Sequence, residues 1–144
     1  MTDPVVVTVE RRIAAPPERV FDAWLDPAGV GRWLFATPDG KMEEVEIDPR
    51  VGGRFLIAER RGDELAEHFG EYLEIDRPRR LVFTMLPEAD GNPTRVTVTI
   101  RSDGRGSHLT LVHEIDPKWA AYEERTREGW ANILAGLDRS LTGA

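Results

Sequence analysis

The sequence contains no cysteine. Disulfides, thiol nucleophiles and thiolate-bound metals are therefore excluded. It has only three histidines, and no HExxH or comparable spacing relates them. No metal site and no cofactor are expected. Long apolar runs are missing as well. None approaches the roughly 20 residues of a membrane-spanning helix, and the start, Met1-Thr2-Asp3-Pro4, lacks the basic and apolar regions of a signal peptide. Positive charge is scarce: 19 Lys and Arg against 26 Asp and Glu leave a net charge of −7. Phosphate backbones and anionic membranes recruit clustered cations, which argues against both as partners. No repeat, low-complexity tract or linker divides the 144 residues. One soluble, cytoplasmic domain over residues 1–144 is the expectation, with its oligomeric state left open.

What is present is organised around the last stretch, residues 116–141. Asp116-Pro117 reads as an N-cap followed by proline at the first helical position. At 100° per residue, Trp119, Tyr122, Glu123, Thr126, Trp130, Ile133, Leu134, Leu137 and Leu141 fall in a sector of about 120°, the buried stripe of an amphipathic helix. The second half of the stripe is aliphatic and suits a dry core. The first half carries two indoles, a phenol, a hydroxyl and a carboxylate. Unpartnered burial would cost about 1–3 kcal/mol for each such group. That half is expected to face water or a ligand.

Upstream, residues 5–13 form a β-rich run with Val5, Val7 and Val9 on one face. Ala14-Ala15-Pro16-Pro17 opens a short helix with Val20, Phe21, Trp24 and Leu25 as its stripe, stopped by Asp26-Pro27. A helical turn over residues 28–33 follows. From Lys41 on, the pattern is strands: around Val45 and Ile47, around Phe55 and Ile57, over residues 68–75 and 81–85, then around Val96 to Ile100 and Leu109 to His113. Asp90-Gly91-Asn92-Pro93 and Asp103-Gly104-Arg105-Gly106 read as turns. Turns this short imply antiparallel neighbours. The predicted fold is α+β: a curved antiparallel sheet of about six to seven strands wrapped around one long C-terminal helix, with two short helices after the first strand. A helix about 10–12 Å wide does not fill the hollow of a broad curved sheet, so a cavity is expected between them.

This order and several motifs resemble the SRPBCC or START-like superfamily, the helix-grip fold of the birch pollen allergen. The branch they resemble is the one grouped with the activator of the ninety-kilodalton heat-shock chaperone ATPase. The residues concerned are Ala15-Pro16-Pro17-Glu18-Arg19-Val20-Phe21-Asp22-Ala23-Trp24, Asp26-Pro27, Arg32-Trp33 and Val51-Gly52-Gly53-Arg54-Phe55. Further on come Gly70-Glu71-Tyr72-Leu73-Glu74-Ile75, Arg80-Leu81-Val82-Phe83-Thr84, Leu109-Thr110-Leu111-Val112-His113, and Gly129-Trp130 with Leu134 and Leu137. Leu34 and Met85 stand where the family pattern often has aromatics. The resemblance implies a helix-grip domain. Its members include carriers, cyclases, hydrolases and chaperone regulators, so fold alone does not choose a role. The eukaryotic chaperone activators also carry an additional N-terminal domain for docking, for which 144 residues leave no room.

The candidate ligand site comprises Trp33, Phe35, Phe55, Tyr72, Met85, His113, Trp119, Tyr122, Glu123, Thr126 and Trp130. Such aromatics are ordinarily plain core, yet Trp and Tyr carry polar tips that suit a cavity rim. His113 shares strand parity with Leu109 and Leu111 and so points at the helix, where a lone histidine is ordinarily a hydrogen-bonded core residue. Glu123, Thr126 and His113 are expected to orient a ligand hydroxyl or carbonyl. His113 and Glu123 together are also the candidate acid–base pair, although nothing supplies a nucleophile. Gly129 and Gly136 are expected to allow close packing against the short N-terminal helices, and Arg77, Arg79 and Arg80 to form a solvated turn. The leading expectation is a non-enzymatic domain binding a small, largely apolar molecule. The alternatives are a co-chaperone-like partner that stimulates a chaperone ATPase, and a small cyclase or hydrolase using His113 and Glu123.

Overall fold

The computed structural model describes residues 4–85 and 94–143. Strand β1 (Val5–Ile13) leads into helix α1 (Pro17–Ala23) and a 3-10 turn at Val30–Arg32. Strands β2 (Lys41–Ile47), β3 (Arg54–Arg61), β4 (Glu64–Asp76), β5 (Arg80–Met85), β6 (Thr94–Asp103) and β7 (Gly106–Ile115) follow. A 3-10 turn at Pro117–Tyr122 then opens helix α2 (Glu123–Thr142). The strands form one antiparallel sheet in the order β1-β7-β6-β5-β4-β3-β2. Thus the first strand lies beside the last, with Val7 opposite His113. The turn expected at residues 90–93 lies outside the described residues.

Alternation builds the sheet. Phe55 and Ile57, Leu81 and Phe83, Val96, Val98 and Ile100, Leu109 and Leu111 all point to the concave face and are buried. Two hairpins have two-residue loops, Gly62-Asp63 and Gly104-Arg105, with glycine first at φ +62° and +61°. A type II′ turn requires that positive φ at its first central position. Strand β4 starts four residues before the expected His68. Residues 64–67 carry no apolar alternation: they lie at the end of the long β3–β4 hairpin, where only Ala66 is even partly buried.

Two expectations need correction. The C-terminal helix is not continuous from Pro117. Asp116 does cap it, accepting from the Lys118 backbone N–H at 3.0 Å. Trp119 then leaves helical geometry at φ −101°, ψ 15°, and a regular helix begins only at Glu123. A 3-10 turn advances about 120° per residue rather than 100°, so the stripe computed for Trp119 and Tyr122 does not continue that of α2. Nor does the centre of the sheet–helix interface hold the expected cavity. Trp24, Trp33, Leu34 and Phe35, from α1 and the segment after it, pack into the hollow with Trp130, Leu134 and Leu137 of α2. Trp24 and Trp33 meet edge to face at 4.7 Å, and Trp24 reaches Phe83 at 6.1 Å. What is left among Trp24, Leu34, Phe55, Tyr72, Leu81 and Phe83 is a void of about 10 Å³.

Charged groups tie the layers at their margins. Arg11 of β1 pairs with Asp138 of α2 at 2.9 Å. Arg77 grips Asp22 of α1 through two bonds of 2.7 and 2.9 Å. Arg79 and Arg80 form exposed pairs with Asp76 and Glu74. The expected solvated turn therefore also braces α1. Gly136 lies against Trp33, as close packing requires, whereas a side chain at Gly129 would meet open space.

These two environments give a paired test. Gly129→Ala should stabilise the protein by about 0.5–1 kcal/mol, since α2 gains propensity and nothing is displaced. A Cβ at Gly70 would run into the Thr84 carbonyl oxygen of β5, which is backbone and cannot yield cheaply. Gly70→Ala should lower the melting temperature well beyond the shift that typical surface substitutions of about 0.5 kcal/mol produce.

Candidate functional site

The 3-10 turn before α2 stands off from the sheet, because neither Pro117–Tyr122 nor the first turn of α2 buries a residue. Between it and the sheet opens a cleft of about 560 Å³. Arg61 of β3 and the Glu64–His68 end of β4 form one wall. Met85, Thr94, His113 and Ile115, at neighbouring ends of β5, β6 and β7, form the floor. Trp119, Tyr122 and Thr126 close the other side. Tyr122 is 46% exposed at the rim.

The structure brings together Met85, His113, Trp119, Tyr122 and Thr126 of the candidate set. It separates the rest. Trp33, Phe35, Phe55, Tyr72 and Trp130 are at most 5% exposed and belong to the core. Tyr72 packs on Phe55 at 5.6 Å, and burial pushes its phenol pKa up. Glu123 is absent from the cleft lining and pairs with Arg127 at 3.1 Å. Arg127, one turn further along α2, holds the Glu123 carboxylate along the helix surface.

His113 is 7% exposed and fully engaged. The indole N–H of Trp130 donates to its Nδ1 at 3.0 Å. Indole is only a donor, so Nδ1 must be the lone-pair nitrogen and Nε2 carries the proton. Nε2 then donates to Thr94 Oγ1 at 2.8 Å, and the hydroxyl passes its own proton toward the Met85 carbonyl at 3.4 Å. Burial pushes the His113 pKa down to about 4. A base needs a free lone pair, and this ring has none to give. The expected pairing of His113 with Glu123 is therefore not formed, and with it goes the acid–base arrangement.

Sequence reasoning missed the opposite wall. His68 lies flat on Phe35, with ring centroids 4.1 Å apart and planes 4° from parallel. Burial, and after it the nearby Arg61 cation, push its pKa down to about 4. Its Nδ1 is sealed from solvent without a hydrogen-bond partner. Arg61 itself is occupied. Its Nε donates to Glu59 at 2.7 Å and its Nη2 to the Phe35 carbonyl at 3.1 Å. Glu59, 2% exposed, also accepts from the Thr37 backbone N–H at 2.8 Å and the Thr37 hydroxyl at 2.9 Å. Burial alone would raise the Glu59 pKa; these donors outweigh it, and the carboxyl stays below its usual range. The network fixes the loop after Trp33 onto β3, including Phe35 at φ +60°, and so holds the surface on which His68 rests. Apart from the Gly62-Asp63 turn, the sequence carries no mark of this wall. His108, the third histidine, lies on the other side of β7 and bonds Glu10 at 2.8 Å. Among the described residues, no three His, Asp or Glu side chains converge as a metal site would need.

A seven-stranded sheet gripping a C-terminal helix, with a cleft open at the start of that helix, defines the helix-grip class. The chain belongs to the family described as Activator of Hsp90 ATPase homolog 1-like protein, whose model matches residues 14–142. Solved structures agree. The AHSA1-like protein of Aeromonas hydrophila is 26% identical over 96% of this chain and 93% of its own, with a TM-score of 0.83. A protein of Chromobacterium violaceum is 27% identical over 92% and 94%, with a TM-score of 0.81. One from Nitrosomonas europaea shares the fold at 17% identity, 99% and 97% coverage and a TM-score of 0.84. No curated protein matches the chain.

Two measurements test the site. Trp130→Ala should cost about 3–5 kcal/mol as a core truncation. Trp130→Phe keeps most of the volume but strands His113 Nδ1, and should cost about 1–3 kcal/mol. Equal stability of the Phe variant and the native protein would show that the indole bond contributes nothing. The two histidines also give a pH dependence. Unfolded imidazoles titrate near 6.5 and the folded ones near 4. Between those values the unfolded chain binds more protons, so stability falls as pH drops from about 6.5 to about 4, by on the order of 3 kcal/mol per ring. His68→Phe should visibly flatten the melting-temperature profile in that window; an unchanged slope would contradict the shift.

Proposed function

We propose that this protein binds a small, largely apolar molecule in the cleft between the sheet ends and the start of α2. The observation that carries the reading is the cleft itself. Its volume of about 560 Å³ lies within the 300–1,000 Å³ usual for small-molecule sites. Its lining sets Leu65, Ala66, Met85, Ile115, Trp119 and Tyr122 beside seven polar or charged residues, and the surface it presents is mainly apolar, as in such sites. Aromatic rings at the rim supply stacking area, and Thr126 supplies an orienting hydroxyl. A flat polycyclic compound should quench the Trp119 emission and raise the melting temperature saturably. Ala66 alternates with Glu64 and His68 on the inward face of β4, so Ala66→Trp should occupy the cleft and weaken binding at least tenfold. Undiminished binding by that variant would place the ligand elsewhere.

The family description supports a second reading, stimulation of a chaperone ATPase through an outer surface. It predicts a several-fold rise in a purified Hsp90-class ATPase at micromolar concentrations of this protein, persisting at physiological salt, where exposed charge contacts are screened. Stimulation by native protein and by Ala66→Trp alike would favour this reading over the first. No stimulation by either would remove it.

A further inference from the structure

Of the two histidines that face the cleft, one has spent its hydrogen-bonding capacity on the protein and the other has not. His113 receives from Trp130 and gives to Thr94. His68 differs. A neutral imidazole carries one N–H and one lone-pair nitrogen, and no donor of the described residues is aimed at this ring. Nδ1 is the nitrogen sealed away from solvent, so the edge of the ring turned to the cleft is the one bearing Nε2. Nε2 is thus left to give or to accept a hydrogen bond from the cleft side, according to the tautomer. Stacking on Phe35 holds the plane of the ring and therefore the direction of that bond.

We propose that Nε2 of His68 hydrogen-bonds the ligand, so that the cleft takes a flat, uncharged aromatic molecule bearing one hydroxyl, which can pair with either tautomer of the ring, a phenol being the simplest member. The proposal rests on the cleft reading above and narrows it. Its charge preference follows from the lining. Arg61 is the one cation among the described lining residues, and its Nε and Nη2 are held by Glu59 and the Phe35 carbonyl. Glu64 stands opposite it in the ladder. A carboxylate in the cleft would meet Glu64 without a free cation to offset it. The flat shape follows from the walls: the His68–Phe35 stack on one side and the Trp119–Tyr122 pair, 5.5 Å between centroids, on the other.

The test compares 2-naphthol with 2-methylnaphthalene, which has the same outline and no donor, by calorimetry on the native protein and on His68→Phe. Phenylalanine keeps a ring on Phe35 and removes both nitrogens. The expected result is that the naphthol-to-methylnaphthalene affinity ratio falls at least tenfold in the variant, while methylnaphthalene itself binds both proteins alike. Taking the ratio cancels the difference in hydrophobicity between the ligands. In parallel, the nitrogen NMR signal of His68 Nε2 should move on adding naphthol to native protein and stay put with methylnaphthalene. That titration decides the matter by itself if His68→Phe fails to fold. An unchanged ratio with no movement of the signal overturns the hydrogen-bond anchor and leaves the cleft reading standing. Failure of both compounds to bind native protein overturns the cleft reading and this inference with it. Tighter binding of 2-naphthoate than of 2-naphthol would overturn the preference for an uncharged ligand.

Discussion

The bond from the Trp130 indole to His113 is the interaction on which the rest of the structure turns. An indole N–H can only donate, and burying it unpaired would cost about 1–3 kcal/mol. His113 takes that proton on Nδ1, which fixes its tautomer and sends Nε2 to Thr94. One side chain of α2 is thereby fastened to β7 and through it to β6, with the Thr94 hydroxyl directed onward to β5. A helix packed only by aliphatic contacts can slide by a turn at modest cost. A directed chain of donors and acceptors sets its position. The same bonds form the boundary between core and cleft, since Trp130 is sealed on one side and His113 forms floor on the other.

That boundary has a counterpart in how the hollow of the sheet is filled. The concave face is too broad for one helix, and the aromatic segment after β1 takes the remaining space. Trp24, Trp33 and Phe35 pack where α2 does not reach. Phe35 marks the limit of this filling: one of its contacts is Trp130 at 5.8 Å, another is His68. Past it, the chain has the 3-10 turn at Pro117–Tyr122, which buries no side chain. The cleft exists because the filling stops there.

Two buried polar arrangements thus flank one cleft. The Glu59–Thr37–Arg61 group is closed: each charge finds its partner within the protein, and its role is to pin a loop. The His113 chain is closed as well. His68 is the group left open, and a buried polar atom without a partner is uncommon enough to call for a physical account. The void lined by Trp24, whose indole N–H is also unpartnered, is smaller by far. The asymmetry between a saturated and an unsaturated histidine is what gives the cleft a polar direction.

The sequence by itself determined the elements and their order. Val5–Ile13 came out with its strand bounds, α1 with its proline start, and α2 with its aliphatic face of Ile133, Leu134, Leu137 and Leu141, because each is written in local periodicity and capping chemistry. The family motifs located the helix-grip fold across most of the chain. Five of the eleven candidate site residues reach the cleft, and they are those near strand ends or the start of the last helix. The tertiary structure alone decided the rest. Whether an inward aromatic is core or lining depends on what fills the space opposite, and Trp33, Phe35, Phe55, Tyr72 and Trp130 look the same in sequence either way. Glu123 is held by Arg127 of its own helix rather than by the cleft, and periodicity does not say which neighbour a helical carboxylate takes. The wall of Arg61 and residues 64–68 was silent because Glu64-Leu65-Ala66-Glu67 carries no alternation, and the contrast between His68 and His113 lay in their partners, which come from strands and helices far away along the chain.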